Sequence, residues 1–240
     1  MKLTDGMVFI PDAEREDRYD FSLAEGERVG FVFPIYSWAP PKLVLDFIQK
    51  MRFSAPPAYL YFVCTCGDNC GQTEKIVRRA VRAKGWELSA CCSVQMPETY
   101  IGMPGFKLDT DANALRKTTD AEVKIAHVAN RLLNEERFSD MTVGGFAWLK
   151  SRVINPGFNR FATDDSKYRY TDQCIHCGKC VDICPLKNIS LDEGHPKWHG
   201  HCTMCMACYH HCPVNAIQYG KATVGKGQYY YGYKANDITN

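Results

Sequence analysis

Two stretches of the chain carry residues able to hold metal, CIHCGKCVDICP at 174–185 and CTMCMACYHHCP at 202–213. Each spaces its cysteines as C-x2-C-x2-C-x3-C and ends in Cys-Pro, and the second begins 28 positions after the first. Thiolate sulfur stabilises iron in both oxidation states. Cys174, Cys177, Cys180, Cys184, Cys202, Cys205, Cys208 and Cys212 are therefore candidate ligands of iron–sulfur clusters. Zinc is the competing reading, because it also accepts four cysteine thiolates. Zinc ribbons use two C-x2-C pairs well apart, whereas here four cysteines fall within eleven residues, twice. The spacing favours iron. Two clusters close together make a wire for single electrons, and the rest of the chain must show what the wire connects.

A chain of 240 residues has room for one large domain or two ordinary ones. With 45% hydrophobic and 23% charged residues, it has the composition of a soluble globular protein. No run approaches the roughly 20 apolar residues of a membrane span. The start, MKLTDGMVFIPDAERED, has no apolar core followed by small residues, so no signal peptide is expected. Eight of the thirteen cysteines lie in the two blocks. In a reducing compartment that pattern means metal ligation, not disulfides. The expectation is a cytoplasmic protein without a membrane partner. A net charge of +2 gives no reason to invoke nucleic acid.

Residues 1 to about 165 alternate between strand and helix patterns. GMVFIP reads as a short strand ending at Pro11, and RVGFVFPIY (28–36) as a buried parallel strand covered on both faces. PPKLVLDFIQKM has a proline start and places Leu43, Val44, Phe47, Ile48 and Met51 at helical spacing. AYLYFVCTC (58–66) is a second buried strand and WELSACCSVQM a third. Between these two, GQTEKIVRRAVRAKG is an amphipathic helix capped by Gly85, its outer face carrying Lys75, Arg78, Arg79 and Arg82. DTDANALRKTTDAEVKIAHVANRLLNEERF is a long helix whose expected buried stripe is Leu115, Val123, Ala126, Ala129 and Leu133. This order predicts a parallel α/β sheet.

VINPGFNRFATDDSKYRY (153–170) is irregular and aromatic, and the domain junction is expected there, giving domains 1–164 and 165–240. Beyond it, 174–191 aligns with 202–219, and Ile189/Leu191 fall on Ile217/Tyr219 at strand spacing. SLDEGHPKW between the halves predicts a hairpin around Glu193-Gly194.

On these cysteine runs, residues 165–240 resemble the bacterial 2[4Fe-4S] ferredoxins, a small α+β fold. In that family the fourth cysteine of each run ligates the other cluster. The resemblance implies one cluster on Cys174, Cys177, Cys180 and Cys212 and another on Cys202, Cys205, Cys208 and Cys184. Two departures stand out. Many relatives have glycine where His176 stands, and Met206-Ala207 replace the Gly178-Lys179 pair of the first run.

The whole chain resembles the flavodoxin–ferredoxin fusion proteins of anaerobic bacteria. The likeness rests on GFVFPIYSWAPPKLVLDFI, FVCTCGDNCGQ, VQMPETYI and INPGFN. It implies a flavodoxin-like sheet with FMN at the carboxyl ends of the strands. By position, Tyr36, Ser37 and Trp38 would flank the ring, with Tyr36 or Trp38 stacking on it. Thr65, Cys66, Gly67, Asp68, Asn69 and Gly71 would meet its other edge. One part of the family pattern is missing. A flavodoxin opens with a strand and a Ser/Thr/Gly-rich turn that binds the phosphate. Here MKLTDGMVFIPDAE already matches the segment after the family's first helix. The sheet is thus expected to be incomplete at its N-terminus, without its central strand. Either the assigned start is late, or the native sheet has no flavin and rearranges or borrows a strand from a partner. The look of GFVFPIYSWAPP favours the first.

Cys64, Cys66 and Cys70, with Cys91 or Cys92, are a conceivable third metal site, but core packing is the simpler reading. His195, His199, His201, His210 and His211 are expected to be solvated, since cysteines already satisfy the iron. The expected function is an electron carrier passing single electrons through two [4Fe-4S] clusters between redox protein partners, or to and from FMN. A flavin-dependent reductase and an iron–sulfur subunit of a larger complex are the alternatives. A dimer through the incomplete sheet is a further expectation.

Overall fold

The computed structural model describes residues 6–103 and 105–232. They belong to two compact units, one spanning 1–96 and 116–156, the other 97–115 and 157–240.

The first unit opens with helix α1 (Ile10–Arg15), not with a strand. Pro11 lies in its first turn, where a missing N–H costs nothing, and so starts the helix instead of ending a strand. Strand β1 (Asp20–Phe21) pairs in parallel with β3 (Arg52–Phe53) in a small sheet of their own. The main sheet has four parallel strands in the order β2 (Arg28–Pro34), β4 (Tyr59–Cys66), β5 (Ala90–Gln95) and β6 (Phe138–Asp140). Helices α2 (Lys42–Lys50) and α3 (Thr73–Arg82) follow β2 and β4. Val44, Phe47 and Ile48 of α2 are buried, as their spacing predicts, and Gly85 closes α3 with φ +77°.

Strands β2 and β4 pair directly over seven residues, from Arg28 opposite Tyr59 to Pro34 opposite Thr65. Among the described residues no strand pairs with the other edge of β2, where the expected missing strand would lie. Gly30 makes the close approach possible: a Cβ there would sit 2.2 Å from Cζ of Tyr61, whose ring fills that space. Phe33 and Phe62 stack at 5.4 Å on the opposite face. Sheet and helices share a core of Phe31, Phe47, Ile48, Leu60, Phe62, Val77 and Val81.

Two expectations about burial fail. Strand β2 is covered on one face only, with Val32 71% exposed. In the long helix α4 (Asp111–Leu133), the residues facing the sheet are Ala121, Val128 and Leu132, while Leu115 and Val123 are each 69% exposed. Small Ala121 brings the helix close to Ala90, Cys92 and Val94 in the strands below it. The predicted stripe is therefore rotated away from the sheet.

The second unit repeats one theme. Each cysteine run leads into a one-turn helix, α5 (Lys179–Asp182) or α6 (Ala207–His210), and then a strand, β8 (Ile189–Asp192) or β10 (Ile217–Tyr219). Strand β8 pairs with β9 (His195–Trp198) in the predicted hairpin, where Glu193 and Gly194 have φ of 50° and 83°. Two consecutive positive φ values make the turn whose twist suits a two-residue hairpin. Strand β10 pairs antiparallel with β7 (Tyr168–Tyr170). Residues 97–108 join this unit. Ile101 is fully buried in its core with Tyr168, Tyr209 and Ile217, and Tyr100 packs edge-on against Phe158 at 5.6 Å.

Candidate metal centres

The cysteine loops curl because their backbones turn left-handed at matching repeat positions. His176 and Met204 have φ of 56° and 58°, Gly178 and Met206 have 71° and 61°, and Lys187 and Asn215 have 50° each. Left-handed backbone normally favours glycine. His176 and Met206 take this turn without being glycine, and the Met206 side chain is 1% exposed in the core.

These turns gather the eight cysteines around two cavities of equal size, each about 330 Å³ and partly open to solvent. Cys174, Cys177, Cys180 and Cys212 line the first. Cys184, Cys202, Cys205 and Cys208 line the second. Each cavity thus takes three cysteines from one run and the last cysteine of the other.

The donor set suits a cluster better than a single ion. Tetrahedral zinc with bonds of about 2.3 Å brings its sulfurs within ~3.8 Å of one another. Among the described residues, the ligand atoms of three or more His, Cys, Asp or Glu side chains lie within 4.8 Å of one another at Cys174, His176 and His195 alone. The quartets are set wider than that. Cys64, Cys66 and Cys70 do not assemble as a third site either, and remain free buried thiols of the first unit.

Backbone N–H groups are already aimed at sulfur. Asn188 N donates to Cys184 Sγ at 3.3 Å, Met204 N to Cys202 Sγ at 3.3 Å, and Ala216 N to Cys212 Sγ at 3.2 Å. Donors of this kind favour a thiolate. Burial acts the other way, pushing Cys202 up to about 12 and raising Cys180, Cys205 and Cys208 above the ordinary thiol value. A bound cation at these thiols would reconcile the two, because it would hold deprotonated sulfur in a dry site.

The second cavity is the drier. Tyr168, Met204 and Met206 near it are 6%, 2% and 1% exposed, whereas Ile175, His176 and Cys177 beside the first are exposed. Asp165 steadies the second cavity's loops by accepting from Asn188 Nδ2 at 2.7 Å and from Gly200 N at 2.9 Å.

Not all the histidines are solvated. His199 and His201 are exposed, and Nδ1 of His176 meets the Gly194 carbonyl at 3.0 Å. His195 stacks on Tyr170 at 4.3 Å. His210 is 3% exposed and bonded through both ring nitrogens. Its Nε2 donates to Thr99 O at 2.7 Å and its Nδ1 accepts from Tyr229 N at 3.2 Å. Burial holds its pKa down at about 4, so the imidazole is neutral.

The residues expected at a flavin ring lie in the first unit, in loops at the carboxyl ends of neighbouring strands. Ser37 and Trp38 come after β2 with consecutive left-handed φ of 49° and 62°. Gly71, after β4, lies so near them that a Cβ would meet Trp38 O at 2.6 Å and Ser151 Oγ at 2.3 Å. Both loops are tied to the segment that carries Ser151 and Asn155. Ser151 Oγ donates to Trp38 O at 2.6 Å, and Asn155 Nδ2 donates to the carbonyls of Tyr36 at 2.9 Å and Ser37 at 3.1 Å. Lys150 Nζ lies over the Trp38 ring at 5.2 Å. Thr65 continues β4 opposite Pro34, Cys66 is buried at its end, and Gly67 O accepts from Lys117 Nζ at 2.7 Å. Asp68 accepts from Asn69 Nδ2 at 2.6 Å, and Asn69 packs under Gly144.

Residues 173–217 match the family model of the 4Fe-4S dicluster domain. No match was found among curated proteins or among solved structures. The chain thus carries a ferredoxin-like 4Fe-4S dicluster domain in its C-terminal part, and a mixed α/β unit built on a parallel sheet. No helix among the described residues is long and apolar enough to cross a membrane.

Proposed function

We propose that this chain is an electron carrier that passes single electrons through two [4Fe-4S] clusters, exchanging them with redox protein partners. One cluster sits on Cys174, Cys177, Cys180 and Cys212, the other on Cys184, Cys202, Cys205 and Cys208. The observation that carries this reading is the crossed lining of the two cavities. Bound clusters supply reversible one-electron chemistry at a potential set by their surroundings. The chain's own groups do the rest. Eight thiolates hold the iron, amides of Asn188, Met204 and Ala216 bond to sulfur, and Tyr168, Met204 and Met206 keep water from the second site. The test is iron and acid-labile sulfide analysis of protein purified without oxygen. About eight of each per chain are expected for two four-iron clusters, and two zinc ions with no sulfide would overturn the reading.

A second reading adds FMN at the loops around Tyr36, Ser37, Trp38 and 65–71, and makes the chain a flavin-dependent reductase. What favours it is that these loops meet at the carboxyl ends of adjacent parallel strands, where such sheets bind ligands. The ties from Ser151 and Asn155 weigh against it, because they use the Trp38, Tyr36 and Ser37 carbonyls.

A further inference from the structure

We propose that the indole N–H of Trp198 is a built-in hydrogen-bond donor to the second cluster, holding that cluster's potential above the value its dry surroundings alone would set. The inference rests on the two-cluster reading above.

Trp198 lines the second cavity, at the end of β9. Its Nε1 is buried and meets no acceptor in hydrogen-bond geometry among the described residues. Indole nitrogen can only donate, so a buried one without a partner calls for an acceptor that comes from outside the chain. The ring cannot easily turn away. It stacks on Tyr168 at 5.3 Å with the planes 10° apart, and Trp198 pairs with Ile189 across the hairpin. Tyr168 is itself pinned by its hydroxyl donating to Met206 Sδ at 3.2 Å.

Reduction adds one negative charge to a cluster and its sulfurs. Burial disfavours that charge, and a donor aimed at sulfur favours it. Two cysteines of this cavity have backbone donors, Asn188 N for Cys184 and Met204 N for Cys202. Trp198 adds a side-chain donor to the same cavity. No tryptophan lines the first cavity, which is also the wetter, so the two clusters are tuned by different means.

The experiment is a redox titration of wild type and Trp198→Phe, monitored by EPR, with iron and sulfide measured on each sample. Phenylalanine keeps an aromatic ring against Tyr168 and removes the N–H. The expected result is full cluster content, one midpoint potential shifted negative and the other unmoved. Unchanged potentials at full cluster content would overturn the proposal. A parallel measurement needs no substitution. Wild type grown with 15N-indole tryptophan should show nitrogen hyperfine coupling to one reduced cluster, and its absence would also overturn the proposal. Wild type lacking sulfide altogether would instead remove the two-cluster reading, and this inference with it.

Discussion

His210 Nε2 donates to the carbonyl oxygen of Thr99 at 2.7 Å, joining residues 111 positions apart. The bond fastens residues 97–108 to α6, the short helix that carries Cys208. Lys226 adds a second clasp, its Nζ donating to the carbonyls of Ile101 at 2.9 Å and Phe106 at 2.8 Å. The dicluster domain is thus braced by a segment that precedes it by more than sixty residues.

Replacing His210 by phenylalanine leaves the Thr99 carbonyl and the Tyr229 amide without partners in a buried place. A loss of about 2–4 kcal/mol is expected for two such bonds. Denaturant unfolding under anaerobic conditions measures it. Hydrogen exchange should quicken across 97–108, and unchanged exchange there would show that the clasp contributes nothing.

Cys184→Ala separates the crossed arrangement from the sequential one. Cys184 lines the cavity of Cys202, Cys205 and Cys208, so its loss should damage that cluster and spare the one of Cys174, Cys177 and Cys180. EPR of the reduced variant, compared with Cys212→Ala, reads this directly. The two variants should lose opposite signals. If Cys184→Ala removed the signal of the first cavity, the assignment would be wrong.

FMN is expected to bind the 240-residue chain weakly or not at all. A phosphate dianion needs several aligned N–H donors, each worth roughly 1.5–3 kcal/mol as a charge-assisted bond, and without them affinity drops by orders of magnitude. The 240-residue sequence contains no Ser/Thr/Gly-rich turn of the kind a flavodoxin uses for that phosphate. Quenching of flavin fluorescence on titration is the measurement, and tight binding would revive the flavin reading.

Among the described residues no strand pairs with the outer edge of β2, and Val32 stands exposed on its uncovered face. Edge strands of this kind associate unless a charge interrupts them. Weak self-association is expected in sedimentation experiments, and Val32→Lys should weaken it ~10-fold, about 1.4 kcal/mol. A wild-type chain that stays monomeric at high concentration would dismiss this edge as an interface.

The cysteine loops were legible because metal chemistry fixes both residue type and spacing. The Glu193-Gly194 turn, α2 and α3 were legible from local rules that tertiary packing did not override. The stripe of α4 was not, because residue size is a poor guide where a helix packs closely through alanine, and Ala121 faces the sheet while Val123 does not. Nor was the ring of Tyr61 lying over Gly30, a fit between two strands that neither strand announces alone. His210 was misjudged for a related reason: its partner Thr99 is distant in sequence, and nothing near His210 marks it as buried. Trp198 escaped notice because hydrophobic spacing shows that an indole packs, not where its N–H points.

The crossed lining of the cavities also sets a timetable for biosynthesis. A ribosome makes Cys174, Cys177 and Cys180 early, yet the wall they belong to is finished only when Cys212 emerges. The other wall waits for Cys208, four residues sooner, although its Cys184 was made long before. Neither site is whole on a chain stalled short of residue 208. The two become whole almost together, and the Gln228 side chain, which donates to the carbonyls of Tyr209 at 2.6 Å and Cys212 at 2.8 Å, arrives later still. Loading of metal is thereby postponed to the nearly complete chain, and truncated products are left unable to sequester a full complement of iron.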